Sequence, residues 1–399
     1  MIINKVNKRI KNASFNDIIN GIYLFVFIVW LSVLFLRTTR FDLGWCDPYY
    51  ELLRMILIGI VLVKISCCKT YSMWEMLVIF VLYVSFSFSV SRSGYVDLQD
   101  LLLVIVGAKD ISFKKLLKVY VCTIGILLLF TMGMALTGRI ENLVYLQEGR
   151  RPRMAFGTSY PTDFSAYVFY ILLAYFCIRG KRVSYIEIGI SVLMSLFVYR
   201  FCDARLNTIC ILIMTGVFLY NKWIHIYCKK KNKIYSMNCI WQQLLTLSTS
   251  IAAIFMVSVT MLYSIDNKIL VALNDLLNNR LLYGNQGYDR YGLSFWGQPI
   301  VQQGAGGALQ SVKHYFWLDV SYVSILLKYG IVILGVILIL WIIIGVKAQK
   351  KQNWELLWAI ALVALQCTVE HHMLEVVYSP ILWAVFAKVE CSEEIVRKY

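Results

Sequence analysis

The amino-acid sequence predicts an all-α polytopic membrane protein with about twelve transmembrane helices and two enlarged extracytoplasmic loops. Three observations carry this. The 399 residues are 59% hydrophobic and 16% charged, against roughly half apolar and a quarter charged in soluble domains. The apolar residues are gathered into runs of bilayer length, with polar connectors between them. Lysines recur in every second connector, the asymmetry that fixes how a membrane protein is oriented.

The N-terminal stretch MIINKVNKRIKNASFNDIIN leads directly into the first apolar run and lacks a small-residue cleavage pattern. It reads as a retained first helix rather than a signal peptide. The first three spans are expected at residues 18–36, 52–66 and 72–90. A weaker one at 98–108 is followed by KDISFKKLLK, a basic amphipathic piece suited to the cytoplasmic surface. Then come 119–137, 164–178, 184–201, 206–220 and 240–264, and finally 320–346, 354–369 and 376–388. Lys328 lies too deep in any straight helix begun at Asp319. We therefore expect a half-helix from Asp319 to Tyr329, turned at Gly330 into the true span. No internal repeat or linker divides the chain, which reads as one integral membrane domain over residues 1–399 with outer loops at 138–162 and 265–318.

With the N-terminus in the cytoplasm, 24 Lys and Arg fall on the inner side, counting Lys64 and Lys388 at the inner ends of their spans, and 12 on the outer, while Arg54, Arg200 and Lys328 fall in spans. The net charge of +16 thus serves orientation, and no nucleic-acid partner is expected. The two sides differ in kind as well as number. Inner cations are 20 Lys and four Arg; outer ones are ten Arg and two Lys. Topology needs only positive charge, whereas guanidinium suits a bidentate anion. All five prolines also fall outside, where stiff loops fit a site. The 11 Cys show no metal or disulfide spacing and read as small apolar side chains. Arg54 and Glu75 read as a structural pair or as snorkelling side chains.

Four stretches hold candidate chemistry. The longest polar one, 285–330, contains Arg290, Trp296, a Gly-rich turn, His314 and Asp319 at the mouth of an apolar helix. A carboxylate and an imidazole a few residues apart suit proton acceptance from a sugar hydroxyl. Helical spacing places Tyr322 on the face of Asp319, which is equally suited to cap the helix. In GRRPRMAFGTSYPTDFSAY, Arg151 and Arg153 flank a proline and suit a diphosphate at the membrane surface, or simply anionic headgroups. The short turn at 201–207 holds Asp203 and Arg205, either a site or a structural ion pair. Glu370, His371, His372 and Glu375 group near the C-terminus. His371 and Glu375 stand at metal-ligand spacing, but no third ligand does, so they read as a polar wall and no metal or other cofactor is expected.

Taken in order, GRRPRMAFGTSYPTDFSAY, the turn ARLNT, DRYGLSFW…QQGAGG and LDVSYVSILLKYGIVILG resemble the Wzy-type polysaccharide polymerases and O-antigen ligases of bacterial envelope synthesis. The resemblance implies a glycosyltransferase in the bacterial cytoplasmic membrane, acting on its outer face. Its substrates are then undecaprenyl-diphosphate-linked oligosaccharide and the growing polysaccharide, and a flippase and a chain-length regulator are its expected partners. On that reading Arg205 and Arg290 bind the diphosphate, with Arg151 and Arg153 beside them. The ligase branch has a histidine where this chain has Asp319, with His314 five residues earlier, so either group is a candidate to activate the acceptor hydroxyl. Pro161–Thr162 stands where the family often has Pro-Asn. A ligase with the same donor chemistry and a lipid-linked oligosaccharide flippase are the alternatives.

Overall fold

Backbone amides in hydrocarbon must pair within their own segment, so the apolar runs are resolved chiefly as helices. The computed structural model describes residues 2–42, 44, 47–67, 71–146, 151–231, 235–304 and 315–391, with residues 2–14 described by backbone alone. In order the helices are α1 (Ile2–Arg37), α2 (Asp47–Cys67), α3 (Met73–Ser93), α4 (Asp97–Gly107) and α5 (Phe113–Leu136). A two-stranded hairpin follows, β1 (Val144–Tyr145) and β2 (Arg153–Met154), which pairs Tyr145 with Arg153. Then come α6 (Pro161–Arg179), α7 (Tyr185–Phe197), α8 (Arg205–Lys230), α9 (Cys239–Met261), α10 (Lys268–Leu276) and α11 (Arg280–Tyr291). The last three are α12 (Ser321–Tyr329), α13 (Ile331–Lys350) and α14 (Trp354–Gln366).

The caps are local and legible. Ser72 with Glu75 and Ser184 with Glu187 form reciprocal capping boxes at α3 and α7. Asn238 and Asn353 cap α9 and α14.

Among the described residues, eight helical stretches are long and apolar enough to cross a membrane: α1, α3, α5, α6, α7 continued through a π-helical turn to Cys202, α8, α9 and α13. The remaining expected spans take other forms. Helix α2 is 21 residues long but carries Asp47, Glu51, Arg54 and Lys64. Helix α4 has 11 residues and α14 has 13. Residues 376–388 are not an α-helix at all: they hold a 3-10 turn, Ile381–Val385, in otherwise irregular chain. Every residue from 376 to 387 is buried, which is where irregular backbone is tolerated at membrane depth. Lys347 donates to the carbonyls of Ala384, Val385 and Ala387, meeting acceptors that no helix satisfies. The segment then ends against the α4–α5 connector, where Phe113 N donates to Lys388 O and Lys388 N to Ile111 O. Lys64 and Lys109 lie at this same end, Lys64 donating to the carbonyls of Gly107 and Lys109.

The break between α12 and α13 falls at Gly330, as the position of Lys328 predicts. Gly330 has φ +94°, and a Cβ there would lie 2.5 Å from Gly297 N. Gly297, at φ +88°, would push its own Cβ to 2.3 Å from Lys328 O. The two glycines let residues 294–298 close onto the break. Ile331 N donates to Ser294 O, Val332 N to Phe295 O and Gln298 N to Lys328 O. The first amides of α13 are thus satisfied by a loop.

Candidate functional site

Opposite the lysine-bearing end, the start of α12 is sewn to the chain that leaves α14. Ser321 N donates to Cys367 O, and Ser321 Oγ donates to Glu370 O at 2.6 Å. Tyr322 Oη donates to Ala364 O at 2.9 Å. These bonds set Asp319 beside residues 369–375. The cap of α12 is Val320, with no side-chain capping bond, so Asp319 is not a helix cap.

What Asp319 meets instead is Arg280, the first residue of α11. The guanidinium is 8% exposed. Its Nε donates to Val369 O at 2.7 Å, and an Nη donates to Leu277 O at 3.1 Å. From there it reaches Asp319 Oδ2 and Glu370 Oε1, each at 3.7 Å. One buried arginine thus faces two carboxylates from segments far apart in sequence. Asn207, in the first turn of α8, completes the joint. Its Nδ2 donates to Glu370 Oε1 at 3.1 Å and to Thr162 O at 3.3 Å, and its Oδ1 accepts from Gln366.

Behind Glu370 lies an imidazole–carboxylate cluster. Glu375 Oε1 is 3.5 Å from His371 Nε2, and its Oε2 is 3.2 Å from His372 Nδ1. His372 Nε2 faces Asp163 Oδ1 at 3.7 Å and Glu370 Oε2 at 4.0 Å. The His372 ring stacks on Tyr378, and Trp317 stands edge-on to His371. One ligand atom from each of Glu370, His371 and His372 lies within 4.8 Å of the other two. This group differs from the His371–Glu375 pair that helical spacing suggests: it is three consecutive residues, and Glu375 is not among them.

Burial dominates the electrostatics here. It raises Glu370 to about 7, against the opposing pull of Arg280. Asp319 is also raised by burial, with Arg280, Arg153 and Lys328 pulling it back. Burial, joined by His372 alongside, lowers His371 to about 3, and burial lowers His372 to about 3. Both imidazoles are therefore neutral near pH 7.

The arginines singled out by sequence separate into two groups. Arg153 donates from Nε to Cys202 O at 3.1 Å and interacts electrostatically with both Asp319 and Glu370, so it belongs to the cluster. Arg151, Arg205 and Arg290 lie outside it and are exposed. Arg151 lies over the Tyr199 ring and Arg290 over Phe316. Arg205 is 3.4 Å from buried Asp203, which the preceding π-helical turn, Val198–Cys202, places at φ +44°. Asp203 is thus a structural partner of Arg205. Tyr322 turns away from the helix-face reading that pairs it with Asp319. Its hydroxyl is used by Ala364 O and its ring is buried, because Asp319 precedes the helix and helical spacing does not relate the two. His314 lies outside the described residues. Arg54 and Glu75 are both ion-paired, to Asp100 and Lys109 respectively, rather than to each other.

Protein-family models, curated proteins and solved structures give no match to this chain.

Sequence reasoning missed Arg280 and Asn207. Arg280 sits between Asn278–Asn279 and Leu281–Leu282, and both asparagines take positive φ. An Asn-Asn turn that delivers an arginine into an apolar run was the available signal.

Proposed function

We propose that the chain is a membrane glycosyltransferase that joins polyprenyl-diphosphate-linked oligosaccharides into a surface polysaccharide, with its Arg280–Asp319 end facing away from the cytoplasm. The observation that carries the reading is Asp319. It is a carboxylate raised by burial, held at the mouth of a broken helix and coupled to Arg280 and Arg153. The exposed guanidiniums lie on adjoining segments. Arg205 is two residues from Asn207, Arg151 is two from Arg153, and Arg290 covers Phe316, three residues before Asp319.

The chemistry is balanced. An acceptor hydroxyl attacks the anomeric carbon, the bond from that carbon to the diphosphate oxygen breaks, and the hydroxyl proton passes to Asp319. The diphosphate departs with its negative charge, which Arg205 and Arg290 neutralise through paired hydrogen bonds. A ligase that passes a finished polymer to another acceptor uses the same donor step.

One observation favours a second reading, transport of a lipid-linked oligosaccharide. The broken α12–α13 pair and the irregular 376–388 segment are features that transporters share.

Purified protein in vesicles, supplied with a lipid-diphosphate oligosaccharide, separates these. Chain extension, donor binding and movement across the bilayer are measured independently. Arg205→Ala and Arg290→Ala should abolish extension at normal protein level, and Arg→Lys should rescue poorly at both because a point charge lacks the bidentate fork. Asp319→Asn should keep donor binding and lose extension, while His314→Ala only slows it. Near wild-type extension by Asp319→Asn removes its role as base. Movement without extension in the wild type selects transport.

A further inference from the structure

The imidazole–carboxylate cluster behind Glu370 is more than the proposed transfer step uses. Glu375 spends both oxygens on imidazole nitrogens, Oε1 toward His371 Nε2 and Oε2 toward His372 Nδ1. A carboxylate in that place favours protons on those two nitrogens, which is how carboxylates fix the tautomer of metal-binding histidines. The lone pairs then fall on Nδ1 of His371 and Nε2 of His372. Neither of those atoms has a hydrogen-bond partner, nor does His372 Nδ1 beside Glu375 make a hydrogen bond, and His372 is only 2% exposed. What His372 Nε2 faces is two more acceptors, Asp163 Oδ1 at 3.7 Å and Glu370 Oε2 at 4.0 Å. His372 Nε2 and two carboxylates thus converge without a hydrogen bond among them.

The surrounding charges are consistent with a bound cation. Asp97, Asp163, Asp319, Glu370 and Glu375 interact with one another through this region. Among the described residues, the cations that interact with them include Arg153, Arg280 and Lys328. Among the described residues the carboxylates here outnumber these cations, and with Glu370 raised to about 7 by burial the excess is met by protons unless a cation takes their place. Buried charge left unpaired is costly.

We infer that Asp163, Glu370, His371 and His372 form a binding site for one divalent transition-metal ion, Zn²⁺ by its donor set, with Glu375 orienting the two imidazoles. Two nitrogens and two carboxylate oxygens suit four-coordinate zinc. Donors in such a site stand a little over 3 Å apart when each is about 2.1 Å from the metal. The separations of 3.7 and 4.0 Å around His372 Nε2 therefore need only a small inward movement. Glu370 ties the site to the arginine, because its Oε1 is held by Asn207 and faces Arg280 while Oε2 turns to the metal. This site is distinct from the arginines and Asp319 assigned to transfer, and its test does not read polymer formation.

Full-length protein in nanodiscs is stripped with a chelator, reloaded with Zn²⁺, Mn²⁺ or Mg²⁺ and washed, and bound metal is measured by mass spectrometry. We expect about one Zn²⁺ per chain, little Mg²⁺, and imidazole and carboxylate ligands in the zinc X-ray absorption spectrum. His372→Ala and Glu370→Gln should abolish retention, and Glu375→Gln should weaken it about 10–100-fold. His225→Ala should leave it unchanged. Thermal unfolding guards against misfolded variants: Zn²⁺ should raise the midpoint of the wild type and leave that of a folded His372→Gln unmoved. Absence of stoichiometric zinc in the reloaded wild type, or equal retention by a folded His372→Gln, overturns the inference and leaves protons to hold the excess charge.

Discussion

Helices α3 and α6 are alike in sequence terms, since each is an apolar run of bilayer length. Their surroundings differ. Over its spanning window α3 is 22% buried and α6 is 67% buried. The buried residues of α3 form one narrow stripe, Leu82, Ser85, Phe86, Ser89 and Ser93, while Trp74, Phe80 and Tyr83 stand exposed. Helix α6 buries Ser165, Ala166, Tyr167, Tyr170 and Ala174, on several faces of the helix, and brings Asp163 to the cluster. Small residues admit neighbouring backbones, and hydroxyls and rings fill what is left. The difference teaches where chemistry sits in such a protein. The converging carboxylates and imidazoles are held by enclosed elements, α6, α12 and the chain after α14, with Arg280 of α11, while α3 carries its ion pair, Glu75 with Lys109, at one end and otherwise presents apolar surface outward.

The largest expected effect follows from removing the enclosed cation. Arg280→Ala leaves Asp319 and Glu370 facing each other with their shared guanidinium gone. Breaking a buried pair from one side costs about 3–5 kcal/mol. The variant should unfold at clearly lower temperature in detergent, and Arg280→Lys should recover only part, because an ammonium cannot reach Val369 O, Leu277 O and two carboxylates together. Wild-type stability in Arg280→Ala would mean that the enclosed region is no more sensitive than the periphery.

How much of this was legible depends on the range of the contact involved. The turn at Gly330 could be read because Lys328 cannot sit deep in a straight helix. The sorting of arginine from lysine was plain in the composition of the connectors, and Arg153 and Asp319 do meet in the cluster. Arg280 could not be read, because its partners Val369 and Glu370 lie about ninety residues away and no local spacing encodes them. The run at 376–388 shows a different limit. Thirteen largely apolar residues describe a buried irregular strap as well as a span, and the carbonyls taken by Lys347 help distinguish the two. Arg151, Arg205 and Arg290 were chosen by residue type, which says nothing of their exposure.

A smaller effect is expected at the hinge that lets α12 lie inside the protein. Gly330→Ala forces a side chain into a conformation reserved for glycine and against Gly297 N and Phe295 O. The backbone strain alone is worth about 1–3 kcal/mol. Circular dichroism should show unchanged helix content with a lowered unfolding midpoint. Gly335→Ala, where a Cβ meets open space, should be nearly neutral in the same measurement. Equal midpoints for the two would show that α12 and α13 join without the tight approach to residues 294–298.

The smallest effect is expected on the open face of α3, and it tests the comparison within one helix. Phe80 is 63% exposed and Phe86 is fully buried. In water an exposed phenylalanine is stabilised by any cover it finds, but in lipid the acyl chains already provide it, so truncation removes little. Phe80→Ala should change stability by no more than about 0.5 kcal/mol, as substitutions away from packed contacts do. Phe86→Ala, in the buried stripe beside Ser85 and Ser89, should cost about 3–5 kcal/mol. Unfolding of both variants in the same nanodiscs decides it. A large loss at Phe80 would mean that this face is covered by protein in the membrane, and α3 would then belong to an interface rather than to the lipid boundary.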